Sequence, residues 1–336
     1  MTFLIQQTLI YAIPLMIVAL AGVFAERSGI INLALEGIMI FGAFIGVLFV
    51  REVQQLEVFK LAKEMDNYLA LQGLELMAMA VAAVMGAIFS LLLSFASVNL
   101  RADQTIGGTA LNLMAPAIVL FFIRIIANQN TMTMSSGDSA SWFMIKKAMF
   151  GYGRTDKMGF LGSTFIDKTY LATYICILLF IILSIILYKT RFGLRLRSCG
   201  ENPQAADSLG INVYKMRYAG VVISGALGAI GGMAYIVPPV QTWNFEVGVA
   251  GAGFLAMAVM IFGQWKPFNI FGAAMFFAVF KSLANIADST FLAQLHWSSN
   301  IYNMMPFVAS MIILAFTSKN SMAPKAEGIP YDKGSR

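Results

Sequence analysis

The chain of 336 residues is poor in the side chains that most often carry out chemistry: it has one histidine, His296, and two cysteines, Cys176 and Cys199. Without paired acids, histidines or cysteines there is no framework for a catalytic or metal-bearing constellation, so the sequence predicts no enzyme, no cofactor and no metal site. A phosphate loop is missing too. The Lys-Thr at 189 and the Lys-Ser at 281 lack the preceding glycines of Gly-x-x-x-x-Gly-Lys-Ser/Thr, so any ATP-driven work must come from a partner. Charge is also scarce: only 12% of residues are charged against 59% hydrophobic, too little polar surface to cover a soluble domain of this size. The composition requires lipid as solvent.

What the chain has in abundance is apolar runs of the length a spanning helix needs, about 20 residues. They cover 5–24, 29–50, 76–96, 108–126, 171–189, 218–237, 247–262, 268–286 and 301–316. The run at 247–262 is short and glycine-rich and reads as a re-entrant or broken helix; a further short element is expected near 161–169. The predicted fold is therefore all-α, a polytopic transmembrane bundle of eight to ten helices. Residues 1–317 form the membrane domain, with long outer loops at 51–74 and 128–168, a cytoplasmic loop at 190–217 and a cytoplasmic tail at 318–336. The run 220–232, GVVISGALGAIGG, spaces glycines and alanines so that helix backbones can approach closely.

The first residues carry no basic segment and no small-residue cleavage site, so the first helix is expected to be retained. With the N-terminus outside and the C-terminus inside, more than half of the 23 basic residues fall on the cytoplasmic side, as positive charge in cytoplasmic loops requires. The opposite loops balance Lys and Arg with acids, Glu75 among them. The basic residues are scattered over short loops, which argues against nucleic acid as a partner. Cys176 and Cys199 are expected at different membrane depths, which disfavours a disulfide. His296, next to Trp297, reads as an interfacial anchor.

Ionisable residues inside helices are costly and invite a functional reading. Arg124 and Lys281 lie near helix ends and read as snorkelling side chains. Glu36 lies deeper, four residues after Asn32, and a helix would place both on one face. That face points into protein or water. An interhelical hydrogen bond and the lining of a substrate path both fit it, and the residues alone leave both open. Thr109 and Asn112, with Thr105 before them, form a similar stripe.

The segment RFGLRLRSCGENPQAADSLGINVYKMR at 191–217 is the most informative. Asn202 is a good N-cap, Pro203 suits the first helical position, residues 204–209 can form one short helix, and Gly210 can end it in a left-handed turn. A capped helix with basic flanks and a small, nearly neutral body fits a groove on another protein better than it fits phosphate.

These residues resemble the coupling loop of ATP-binding-cassette importer permeases of the ribose and branched-chain amino acid type, carried here by Gly200, Glu201, Asn202, Pro203, Ala205, Ala206, Leu209 and Gly210, followed by Ile211 and Asn212. GIINLALEGIMIFGAF at 29–44, LRADQTIGGTALNLM at 100–114, GAGFLAMAVMIFGQWKP at 251–267 and the ending GIPYDKGSR are similar to the nucleoside and simple-sugar subgroup. The resemblance implies a permease of the bacterial inner membrane that works with cytoplasmic ATPase subunits, a second permease chain and a substrate-binding lipoprotein of the basic membrane protein type. It implies nucleosides as substrate, with simple sugars as the alternative, and docking of 201–209 in the ATPase. Asn32, Glu36, Thr109 and Asn112 are the residues expected near the substrate path. A stand-alone secondary transporter using Glu36 as an ion site, or a membrane scaffold, are the competing readings; the first has no need of the coupling loop, the second none of the polar stripe.

Overall fold

A computed structural model describes residues 2–64, 67–133, 143–153, 159–238, 242–245, 248–286, 299–317 and 322–334; His296 and Trp297 lie outside them. The described chain forms α1 (Thr2–Arg27), α2 (Leu35–Val53), α3 (Glu57–Glu64), α4 (Tyr68–Ser94, continued by a π-turn at Phe95–Asn99) and α5 (Gln104–Ala127). There follow α6 (Phe160–Phe165), α7 (Leu171–Lys189), α8 (Arg191–Glu201), α9 (Pro203–Ser208) and α10 (Val213–Ile236). The last three are α11 (Ala252–Phe262), α12 (Pro267–Ile286) and α13 (Ser299–Thr317). Two small antiparallel ribbons pair β1 (Thr131–Thr133) with β4 (Thr242–Asn244) and β2 (Met144–Ile145) with β3 (Thr169–Tyr170).

The protein is an all-α polytopic bundle. Every apolar run read from the sequence is helical over most of its length, and among the described residues five helices, α1, α4, α5, α7 and α10, are long and apolar enough to cross a membrane. One end of the bundle, the base, carries α8, α9, the α4–α5 turn and residues 322–334. The other end, the mouth, carries α3, α6 and both ribbons.

Two helices form the centre. In α1 the run from Ala12 to Ala25 is buried throughout, and α10 packs against α1, α2 and α4. The small residues of α10 allow this. A methyl group on Gly232 would collide with the Met39 carbonyl oxygen, and one on Gly42 with the backbone of Ala229, so α2 and α10 meet backbone to backbone. Around this centre, α4, α5 and α7 turn Leu92, Leu113 and Leu178 outward, each more than half exposed, a surface that lipid tails or another apolar chain would solvate.

Three sequence expectations are corrected. The second helix begins at Leu35 and not at residue 29. The loop expected at 51–74 is largely helical, occupied by α3 and the first turns of α4. Glu75, counted with the loop charges, lies inside α4, fully buried, and its Oε1 accepts a hydrogen bond from the Ala172 amide at the start of α7; a carboxylate at a helix N-terminus meets open N–H groups there.

Candidate functional site

The unwound stretch between α1 and α2 is the first component. Gly29, at φ 95°, closes α1, with the Ser28, Gly29 and Ile30 amides bonded back to the Ala25 and Glu26 carbonyls. The chain then climbs into the bundle without helical hydrogen bonds, and side chains replace them. Gln104 Oε1 accepts from the Ile31 amide at 2.8 Å. Asn112 Nδ2 donates to the Leu33 carbonyl, and its Oδ1 accepts from the Gly37 amide at 2.7 Å. Asn32 Oδ1 accepts from the Ala34 amide while its Nδ2 donates to Ser224 Oγ at 2.8 Å. Ser224 lies near the middle of the 24-residue α10, roughly 16 Å above its base end at 1.5 Å per residue. The N-terminus of α2 therefore sits at mid-depth.

A second helix starts beside it. The 11 residues of α11 span about 16 Å, half a bilayer core, which agrees with the broken helix expected over 247–262. The turn leading into it runs through Gly248, Ala250 and Gly251, all at positive φ. Glu36 Oε1 accepts from the Gly251 amide at 3.1 Å and Oε2 from the Gly253 amide at 2.6 Å. The carboxylate thus satisfies the open amides and the positive dipole end of α11. Two helix N-termini, one of them that of a half-length helix, meet at mid-depth next to irregular backbone held by side chains, an arrangement similar to the one from which transporters build binding sites.

Above this point a cavity of about 400 Å³ is lined by Glu36, Ile40, Pro116, Leu120, Arg124, Asn130, Phe245 and Gly248. That volume lies within the range of about 300–1,000 Å³ for small-molecule sites, whose walls are mostly apolar with a few fixed polar groups. Arg124 Nε donates to Asn130 Oδ1 at 3.0 Å. The β1–β4 ribbon forms the rim, with Trp243 buried and its indole N–H donating to the Gly248 carbonyl at 2.9 Å.

The base presents the other component. Asn202 Oδ1 accepts from the Ala205 amide at 3.0 Å, Pro203 opens α9, and Gly210 ends it at φ 80°, as the sequence predicts. Ala206 is buried against Cys199, Val213 and Tyr331, whereas Ala205 and Leu209 face outward, Leu209 at 82% exposure. Burial pushes the Cys199 thiol up to about 11, against the pull of Arg217 and a Ser198 hydrogen bond. Glu201 Oε1 pairs with Arg27 Nη1 at 3.1 Å, and Gly200 packs on the Arg27 carbonyl. A helix the sequence did not suggest, α8, precedes α9; Thr190 caps it through the Gly193 amide.

Of the residues expected near the substrate path, Glu36 lines the cavity while Asn32 and Asn112 hold the unwound strand beside it. Asn32 and Glu36 do not share a helical face, because Asn32 lies before α2 begins. Thr109 is exposed on α5, its hydroxyl donating to the Thr105 and Ile106 carbonyls, whereas Asn112, about one turn further on, is half-buried against the unwound strand. Sequence reasoning missed Gln104, Ser224, Asn130 and Phe245. Gln104 was the one with a signal, a polar side chain at the first position of an apolar helix.

The chain matches the family model described as branched-chain amino acid transport system / permease component over residues 4–315. It is 38% identical to the nucleoside ABC transporter permease protein NupC of Lactococcus lactis, covering 98% of this chain and 96% of that protein. It is 39% identical to the guanosine ABC transporter permease protein NupQ of Bacillus subtilis, over 100% and 98% of the two chains. A second Lactococcus lactis protein, the nucleoside ABC transporter permease protein NupB, is 24% identical over 80% of this chain and 69% of its own. No solved structure is a significant match.

Proposed function

Because the chain belongs to the branched-chain amino acid transport system / permease component family, we propose that it is the membrane permease of an ATP-driven importer that carries nucleosides. The observation that carries the substrate class is the similarity along essentially the whole chain to NupC and NupQ. The cavity chemistry supports it: Phe245 offers a ring face to a nucleobase, and Glu36, Arg124 and Asn130 offer partners to amino, carbonyl and hydroxyl groups. Glu36, fastened by two amides, is a built-in helix cap more than a free ion site, which removes the main support for a stand-alone secondary transporter.

In this reading the base is cytoplasmic and α9, with its exposed Ala205 and Leu209, docks in an ATPase cleft. ATP-driven closure moves α9, tilts the bundle and opens the mid-depth site first to the mouth and then to the base. A second permease chain completes the path; that one organism holds both NupC and NupB, each related to this chain, supports a pair of unlike chains. An extracytoplasmic lipoprotein delivers substrate at the mouth, where the β1–β4 ribbon stands.

The test is purification of the chain with its partners, followed by reconstitution. An ATPase should accompany the wild type, and nucleoside-loaded binding protein should stimulate hydrolysis where ribose does not. Ala205→Arg, on an exposed face, should cost the ATPase at least tenfold in retention, the consequence of about 1.4 kcal/mol lost at the contact. Retention of the ATPase at wild-type level by Ala205→Arg would remove α9 as the docking helix.

A further inference from the structure

Residues 322–334 cross the whole base and join elements that the sequence keeps far apart. The Met322 amide donates to Gln264 Oε1 in the α11–α12 link at 3.1 Å, and the Ala326 amide donates to the Gly200 carbonyl at 2.8 Å. Gly328 packs on Ile31 of the unwound strand. Arg217 of α10, buried with its Nε and Nη2 lacking an acceptor among the described residues, donates from Nη1 to the Ile329 carbonyl at 2.9 Å. Tyr331 is buried against Tyr214 with ring centroids 5.3 Å apart, in one cluster with Ala206 of α9.

The next two residues divide between two elements. Asp332 holds Arg101, in the α4–α5 turn, in a bidentate pair at 2.8 and 3.0 Å. Lys333 lies 3.6 Å from Asp207 of α9. We infer that Asp332 and Lys333 are positioning residues that tie the docking helix α9 to the start of α5, so that movement of α9 is passed to the helix that carries Asn112, Pro116, Leu120 and Arg124. This inference rests on the reading of the chain as an ATP-driven permease. A single exposed ion pair is weak. Here the pairs are adjacent on a backbone already fixed by Tyr331 and by hydrogen bonds at the Met322 amide, the Ala326 amide and the Ile329 carbonyl, so little freedom is left for them to yield, and a linkage between two packed elements needs such a stiff intermediate.

The test uses the reconstituted complex and reads nucleoside molecules imported per ATP hydrolysed. The Asp332→Ala, Lys333→Ala double variant should keep its ATPase and its hydrolysis rate but import about fivefold less per ATP, the low end of a coupling free energy. The charge exchange Arg101→Asp with Asp332→Arg should recover most of the ratio. A chain ending at residue 321, which removes the strap outright, should show the same uncoupling or more. An unchanged ratio in that truncated chain overturns the inference, as does a truncated chain that loses its ATPase, which would make the strap a folding element only. Failure of the exchange to restore a lowered ratio overturns the Asp332–Arg101 assignment. If wild type itself brings no ATPase, the permease reading falls, and that result is distinct from all of these.

Discussion

Single side chains do the structural service that secondary structure withholds at mid-depth. Asn112 is the plainest instance: one amide group satisfies the Leu33 carbonyl and the Gly37 amide. Asn112→Ala leaves both without that partner in the bundle interior, at about 1–3 kcal/mol each, so the detergent-solubilised protein should melt several degrees lower and import should fall with it. Asn112→Leu, similar in volume, should do no better, because neither open group gains a partner. Glu36→Gln poses a different question. It keeps one acceptor oxygen and turns the other into a donor facing an amide of Gly251 or Gly253; expression should survive, while nucleoside import, measured in whole cells, should drop at least tenfold. Equal import by Glu36→Gln and wild type would take Glu36 off the path.

Helices pack here through what their residues lack. Gly232→Leu would push a side chain into the Met39 backbone, and no rotamer avoids an obstacle that begins at Cβ, so folded protein should be absent from the membrane fraction. Gly272→Ala on α12, where nothing lies within 4 Å, should leave yield unchanged or raise it, since a helical glycine gives up about 0.5–1 kcal/mol relative to alanine. Spans were legible in the sequence because apolar length is a local property. So were the caps of α9, since Asn202, Pro203 and Gly210 act within one helical turn. The late start of α2 was not legible: residues 29–34 are apolar enough to continue a helix, and what unwinds them is a pair of polar side chains on α5, Gln104 and Asn112. The pairing of Glu36 with α11 is non-local in the same way, being 215 residues apart along the chain. Thr109 is exposed while Asn112, three residues on along the same helix, is half-buried, a difference in surroundings that the letters alone do not carry.

At the scale of the whole molecule, the base is held together by a segment that carries its own titratable group. Burial raises the Glu327 carboxyl from 4.5 to about 7, against Arg27 and a hydrogen bond with the Glu26 carboxyl, both of which lower it. Since the docked state favours the protonated acid, this contribution to docking is complete below about 4.5 and is lost as pH rises through about 7. Hydrogen exchange of residues 322–334, corrected for the intrinsic rate, should therefore show the strap opening more often at pH 8 than at pH 5.5, and Glu327→Gln should flatten that dependence. A wild-type profile without slope would place Glu327 in water. The unwound strand has a further consequence, for biogenesis. Ile31 finds its partner Gln104 73 residues later in the chain, about 4 to 15 s later at ordinary rates of synthesis. Until α5 emerges, the first two helices carry open amides that hydrocarbon cannot solvate, so they cannot leave the insertion machinery as a finished hairpin. That part of the fold is therefore complete only once α1, α2, α4 and α5 are together, and a chain cut off before residue 104 lacks the side chains that close the unwound strand.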